Sequence, residues 1–460
     1  MQNAPADKRT PIPLLFVGLD VHKDTISEAV AEDGRDGEVR SPGTFSHDLG
    51  VLEKRMRQHQ RQGYELRVCY EAGPCGFGIA RRLRQLGIDC QVIAPSLIPK
   101  KSGDRQKNDK RDAVKLARCH RAGELTPVQV PEPTDEALRD LCRARTDAVN
   151  DLRRTRQQLK ALLLRLGYRY HGNTSWNDAH ERYLRELVLP HAAHKQVLEE
   201  YIQAVATTGE RVARITAQIA EIATQWRLWP AVQAIMCLRG FQVLSATLFL
   251  SELGDLTRFA HPGKLMAYLG LLPSEHSSGE TISKGAITKC GNAHVRWILT
   301  EAAQHYFLPP KISQELSRRQ QAHPRRIKEI SWQAQNRLSR RGRALLARGK
   351  SKQKAVTAVA RELAGFLWAV YHEWKTPGST QARTLQPASA AKAAPLNQAA
   401  APGRQPEGKS SHSKCPHWDA TPRHSPPAPQ TALGSLKKRA PLPRATSKES
   451  VGSGGTKTRR

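Results

Sequence analysis

Apolar and polar positions divide the chain into four textures. From residue 13 to 126, short apolar runs alternate with segments of helical periodicity: "LLFVGLDVH", "TISEAVAED", a helical "HDLGVLEKRMRQHQ", "ELRVCYEA", a helical "FGIARRLRQLG" and "CQVIAP". Strands first, then helices and strands in alternation, predict an α/β sheet. Between 135 and 228 the pattern changes to sustained three-four spacing. One run passes through Leu138, Leu141, Ala148, Leu152, Thr155, Leu159, Leu162 and Leu166, with Arg145 in an apolar slot; a second runs from Leu198 through Val205, Val212 and Ile219 to Trp226. Heptads sustained this long predict two long helices packed along a seam, a coiled-coil region. The intervening "GYRYHGNTSW" makes an antiparallel hairpin the economical arrangement, its seam closed either within one chain or against a second.

Residues 230–372 form the third texture, a mainly α C-terminal domain. It comprises a compact helical region to about 310, a basic stretch from Ser317 to Ala355, and the apolar helix "VTAVARELAGFLWAVYHEW". From Pro377 onward the chain holds 12 of its 29 prolines, with Ala, Ser and Gly filling most of the rest. Such a composition supports no core, so 377–460 is predicted to be a disordered basic tail.

Charge adds a partner to this picture. Lys and Arg number 73 against 42 Asp and Glu, a net +31, and residues 1–376 alone carry +20, so the excess is not confined to the tail. A body this positive is suited to neutralising phosphates, which makes nucleic acid the leading partner over a merely soluble basic protein. The eight cysteines form no CxxC pair. Their scatter fits reduced, mostly buried thiols rather than a zinc ribbon or a redox motif. No apolar run approaches the ~20 residues of a membrane span, and the N-terminus lacks the apolar core of a signal peptide, so a soluble cytoplasmic protein is expected.

Four carboxylates stand out against these elements. Asp20 sits inside the apolar run "LLFVGLDV", where an ionised group is costly unless paired or coordinated. Glu71 ends the strand-like "ELRVCYEAG", just before a turn enforced by Gly73, Pro74 and Gly76. Asp109 and Asp112 stand three apart at the start of a helix, on one face of it. Converging carboxylates repel one another unless divalent cations lie between them, and oxygen-only ligation suits Mg²⁺ or Mn²⁺. A pair of such ions clamps the attacking and leaving oxygens of a phosphoryl transfer. Each acid also has an ordinary explanation: Asp109 and Asp112 complement a helix N-terminus, and Asp20 pairs with His22 or Lys23. On an α/β pattern in a basic body, the metal reading is favoured for the four together. Lys100, Lys101, Arg105, Lys107, Lys110 and Arg111 crowd the last two acids and would position a phosphate backbone, or form a solvated loop.

A second constellation spans residues 237–299. An apolar helix ending near Cys237, a tight turn at Gly240 and a helix from about Val243 suggest a helix-hairpin-helix, whose helix start binds a phosphate. Gln242 replaces the second glycine usual there, and a packed helical turn reads nearly as well. Next comes "PSEHSSGE", an exposed loop with Ser277 and Ser278 before Gly279, followed by Lys284, Lys289 and Arg296. A serine acts as a nucleophile only when activated; otherwise this is a Ser-Gly turn.

Together, "GLDVHKDTI", "YEAGPCGF", "KNDKRDAVKLAR", "LRGFQVLSATLFLSELGDLTRF", "LMAYLGLLPSEHSSGE" and "ISKGAITKCGNAHVRWIL" resemble the transposases of the insertion sequence 110 family, over about residues 13–310 and in order. The resemblance implies a RuvC-like, ribonuclease-H-type N-terminal domain over 13–126, a helical coiled-coil region over 135–228, and a C-terminal domain with a nucleophilic serine. By position it implies an acidic tetrad at Asp20, Glu71, Asp109 and Asp112, and the serine at Ser278, with Ser277 the competitor. It further implies Mg²⁺, a homo-oligomer on DNA, and an element-encoded guide RNA. The expected function is a DNA transposase that excises and inserts its own element. The rivals are a RuvC-type nuclease such as a junction resolvase, which hydrolyses with water, and a nucleic-acid-binding scaffold whose acids are structural.

Overall fold

The computed structural model describes residues 12–99, 108–275, 277–279 and 283–376. Its first part is a six-stranded sheet formed by β1 (Leu14–Val21), β2 (Thr25–Glu32), β3 (Val39–Ser46), β4 (Glu65–Glu71), β5 (Asp89–Ile93) and β6 (Pro127–Val128), in the order β3-β2-β1-β4-β5-β6. β1, β2 and β3 form an antiparallel meander, β1, β4 and β5 run parallel, and β6 returns antiparallel. The parallel pairs are spanned by α1 (Leu49–Arg61) and α2 (Gly78–Gln85), and α3 (Asp109–Arg121) follows β5.

The alternation within β1 explains the layering. Leu15, Val17 and Leu19 pack with Leu52, Met56, Ile79 and Leu83 on the side of α1 and α2. Phe16 packs with Ala113 and Ala117 of α3 on the other side. Because both faces are covered, β1 reads as a continuous apolar run. β3 was not anticipated: "VRSPGTFS" contains Pro and Gly and alternates only weakly, which an exposed edge strand tolerates.

Next come α4 (Pro133–Arg165), α5 (Asp178–Glu186) and α6 (Ala192–Gln225). α4 and α6 run antiparallel side by side: Asp135 meets Trp226, Arg145 meets Thr216, Asp151 meets Arg211 and Thr155 meets Thr208. Arg145 tolerates its apolar slot by donating from Nε to Thr216 Oγ1 at 2.7 Å. The connection is longer than a simple hairpin loop, since α5 folds onto the helix ends through Leu184 and its neighbours.

The remaining elements are α7 (Trp229–Ile235), α8 (Val243–Leu253), α9 (Pro262–Tyr268), β7 (Pro273–Glu275), β8 (Lys284–Ile287), α10 (Ala293–Gln304), α11 (Gln314–Gln320), α12 (Arg325–Ala347) and α13 (Lys352–Lys375). Their shared core includes Phe241, Phe249, Leu299, Tyr306, Leu363 and Tyr371. Arg143 of α4 reaches this core with two hydrogen bonds to Glu252, at 2.8 and 2.9 Å, and Asn292 adds a third at 2.6 Å. The antiparallel pair β7-β8 interrupts a stretch that reads as helical, because its strands are only three and four residues long and carry no alternation. Among the described residues, no helix is long and apolar enough to cross a membrane.

Candidate active site

Asp20 and Glu71 directly follow Leu19 and Tyr70, the last couple in the parallel pairing of β1 and β4. Leu19 and Tyr70 both face the core beneath α1 and α2. Strand alternation therefore turns Asp20 and Glu71 to the opposite face, the one that carries α3.

Gly18 lets α3 approach that face. A Cβ at this position would lie 2.5 Å from both Ala113 O and Ala117 N, so only glycine accommodates the helix backbone there. Asn108 fixes where α3 begins, its side chain accepting from Lys110 N at 3.0 Å. Asp109 and Asp112 occupy the first turn, with Asp112 next to the buried Ala113 that packs on the sheet.

His22 draws the group together. Its Nε2 lies 3.2 Å from Asp20 Oδ2 and 3.6 Å from Asp109 Oδ2. One ligand atom each from Asp20, His22 and Asp109 all lie within 4.8 Å of one another. Burial lifts the Asp20 carboxyl above its usual range; His22 opposes that shift, and the charges of Asp109 and Asp112 add to it. Two carboxylates and an imidazole at this spacing are a donor set that suits a divalent cation. Asp112 acts on the group through its charge, and Glu71 stands exposed at the end of the neighbouring strand; neither belongs to the close trio.

In the sequence His22 reads only as a counter-ion for Asp20, and its link to Asp109 is absent from sequence order. The available signal was proximity: His22 stands two residues beyond Asp20, in the turn just past the end of β1 at Val21. His47 Nδ1–H donates to His22 O at 2.7 Å and fixes that backbone. Of the basic cluster beside these acids, Lys110 and Arg111 are exposed on the first turn of α3, while Lys100, Lys101, Arg105 and Lys107 lie outside the described residues.

Ser277 and Ser278 lie exposed between β7 and β8, where Gly279 turns the chain at φ +55°. Ser277 Oγ donates to Glu275 Oε1 at 2.9 Å. Ser278 makes no side-chain hydrogen bond among the described residues, and His276 lies outside them. The base of this hairpin is built firmly. Arg296 Nη1 donates to the carbonyls of Leu269, Cys290 and Gly291, so this arginine positions the hairpin. Gly240 makes the predicted turn at φ +86°, and a Cβ there would lie 2.9 Å from Ala302 O, so the turn is packed against α10.

Comparison with known proteins places this arrangement. Residues 17–167 match the model of a DEDD-type transposase domain of insertion sequence 110, and residues 232–316 match that of the transposase IS116/IS110/IS902 family. The Sinorhizobium fredii protein named "Putative transposase y4qE" is 45% identical over 358 residues, covering 78% of this chain and 88% of that protein. The chain belongs to the IS110 family of transposases. A second member, the transposase for insertion sequence element IS1533 of Leptospira borgpetersenii, is 29% identical over 347 residues, covering 74% of this chain and 99% of its own length. As an IS110-family transposase the protein is a DNA recombinase. The DEDD type of its first matched domain implies a divalent metal ion.

Proposed function

We propose that this transposase cuts and rejoins the DNA of its own insertion sequence through a serine-linked intermediate. Asp20, Glu71, Asp109 and Asp112 would form the acidic site, with Mg²⁺ bound or Mn²⁺ in its place, and Ser278 would be the nucleophile. The observation that carries this reading is the convergence of Asp20, His22 and Asp109 on the α3 face of the sheet. The strand order β3-β2-β1-β4-β5, with an antiparallel meander feeding a parallel half, supports a ribonuclease-H-type, RuvC-like domain. The paired α4 and α6 support a coiled-coil region between the two chemistry-bearing parts.

Asp20, Glu71, Asp109 and Asp112 would hold the divalent cation, which when bound would supply positive charge to the scissile phosphate. The protein's own groups do the rest. The Ser278 Oγ–H loses its proton as Oγ bonds to phosphorus, and the bond from phosphorus to the leaving deoxyribose oxygen breaks, with the proton passing to that oxygen. One phosphodiester replaces another, so a hydroxyl of the new partner strand reverses the step without an external energy source. His22, hydrogen-bonded to Asp20, holds that carboxylate in one orientation. Strand choice would be set by an element-encoded guide RNA, and the assembly would be a homo-oligomer.

Recombination and covalent capture in cells carrying the protein with its element's flanking DNA test this reading. Asp20→Ala and Ser278→Ala are both expected to abolish recombination, and Ser278→Ala to remove a protein-linked DNA species while retaining metal binding. Cleavage by Ser278→Ala that leaves free ends would instead mean hydrolysis by water.

A further inference from the structure

We propose that the outer face of α12 is a docking surface for the sugar-phosphate backbone of duplex DNA. This helix lies beyond both matched family segments, which end at residues 167 and 316. Its inner face is locked into the C-terminal core by Ile327, Ile330, Ala334 and Leu338, so the orientation of its outer face is fixed. Gln333, Asn336, Arg337, Arg340 and Arg343 line an open groove on that outer side together with Pro310.

The charge here is only partly compensated. From Ile330 to Lys354 the chain carries eight Lys and Arg and no Asp or Glu. A helix exposed only to water ordinarily interleaves both signs along its face. The start of α12 does so, since Arg325 and Arg326 pair with Glu329 at 2.8 and 3.5 Å. Further along, Glu362 of α13 takes Arg337 and Arg341 at 2.8 and 3.4 Å. Arg340, Arg348 and the lysines that follow have no ion pair among the described residues.

Within the groove Arg337, Arg340 and Arg343 climb about 9 Å along a helix rising 1.5 Å per residue, three cations at three-residue intervals that suit a regularly spaced polyanion. The amide side chains of Gln333 and Asn336 add donors of the kind that reach phosphate oxygens. A lipid surface fits poorly: Trp332, Leu346, Leu308 and Ile312 are exposed near this row, but the apolar face of α12 is already buried in the core through Ile327, Ile330, Ala334 and Leu338, leaving no free apolar face to lie in a membrane interface. Duplex DNA is the polyanion on which a transposase acts. The inference rests on that family membership, not on Ser278 or the acids.

The test is the salt dependence of binding by the full chain, followed by fluorescence anisotropy with a labelled DNA duplex of unrelated sequence, one carrying the element end, and an RNA duplex. Each lost phosphate contact lowers the slope of log affinity against log salt by about 0.9. Arg340→Ala/Arg343→Ala/Arg348→Ala is expected to reduce the slope on DNA by about 2 to 3, with equal fold losses on both DNA sequences. Arg325→Ala, whose charge is already paired, is expected to leave the slope unchanged. Arg340→Ala alone, expected to reduce the slope by about 0.9, keeps the test decisive if the triple variant fails to fold. An unchanged DNA slope in folded variants, an equal effect of Arg325→Ala, or a change confined to RNA would each overturn the proposal. Because this test reads binding and not cleavage, failure of the cleavage chemistry and failure of this surface are read separately.

Discussion

Gly18 shows how one missing side chain sets the geometry of the acids. Two backbone atoms of α3 lie where its Cβ would go. Backbone does not yield cheaply, so Gly18→Ala should destabilise the protein by about 1–3 kcal/mol, read by denaturant unfolding. Strand cleavage should fall further than stability alone explains, because lifting α3 moves Asp109 and Asp112 away from Asp20. The two serines separate at the same scale. Ser277 is engaged with Glu275 whereas Ser278 is not, so Ser277→Ala should still form a protein-linked DNA species on a denaturing gel and Ser278→Ala should form none. At this scale the sequence was informative about residue type. An aspartate inside an apolar run is conspicuous, but the imidazole between Asp20 and Asp109 is not, because a strand and a helix almost ninety positions apart meet only in the folded chain.

Among the elements, the tie between α4, α8 and α10 bears most directly on the link between the two halves. Glu252 is nearly fully buried, and burial would raise its carboxyl, yet hydrogen bonds from Arg143 and Asn292 hold it below the usual range. A carboxylate lowered on folding stabilises the native state fully above its unfolded value, and that stabilisation is lost as pH falls through the lowered one. Glu252→Gln should therefore cost about 2–3 kcal/mol at neutral pH, a buried pair broken on one side with Arg143 still partly solvated. The gap from wild type should narrow below about pH 4, which urea unfolding across pH would measure. The long helices were legible because seven-residue periodicity repeats many times in each. β3 and the β7-β8 pair were not, because an edge strand and a short hairpin need no sustained alternation and owe their existence to neighbouring backbone.

For the whole molecule, charge and connectivity make the predictions. Residues 377–460 add a net +11, and their Pro-, Ala-, Ser- and Gly-rich composition does not support a core. A chain ending at Thr376 should keep its melting temperature and lose non-specific DNA affinity with a shallower salt slope, checked by calorimetry and anisotropy. The acids lie on β1, β4 and α3 and Ser278 on the β7-β8 hairpin of the C-terminal part, and a site completed by a second copy of the chain is the reading to test. Mixing Asp20→Ala with Ser278→Ala subunits should then restore part of the recombination that each lacks alone; no recovery would confine the site to one chain. By itself the sequence determined the classes: a basic nucleic-acid protein and an α/β sheet before long helices. These follow from local periodicity, composition and residue chemistry, which survive without a third dimension; the acids and the serine to be tested came from the family resemblance. The tertiary structure alone decided that α3 lies on Gly18, that His22 joins Asp20 to Asp109, and that Arg296 is spent on the base of the serine hairpin. Each depends on backbone from distant parts of the chain meeting within a few ångströms, a distance that sequence separation does not encode.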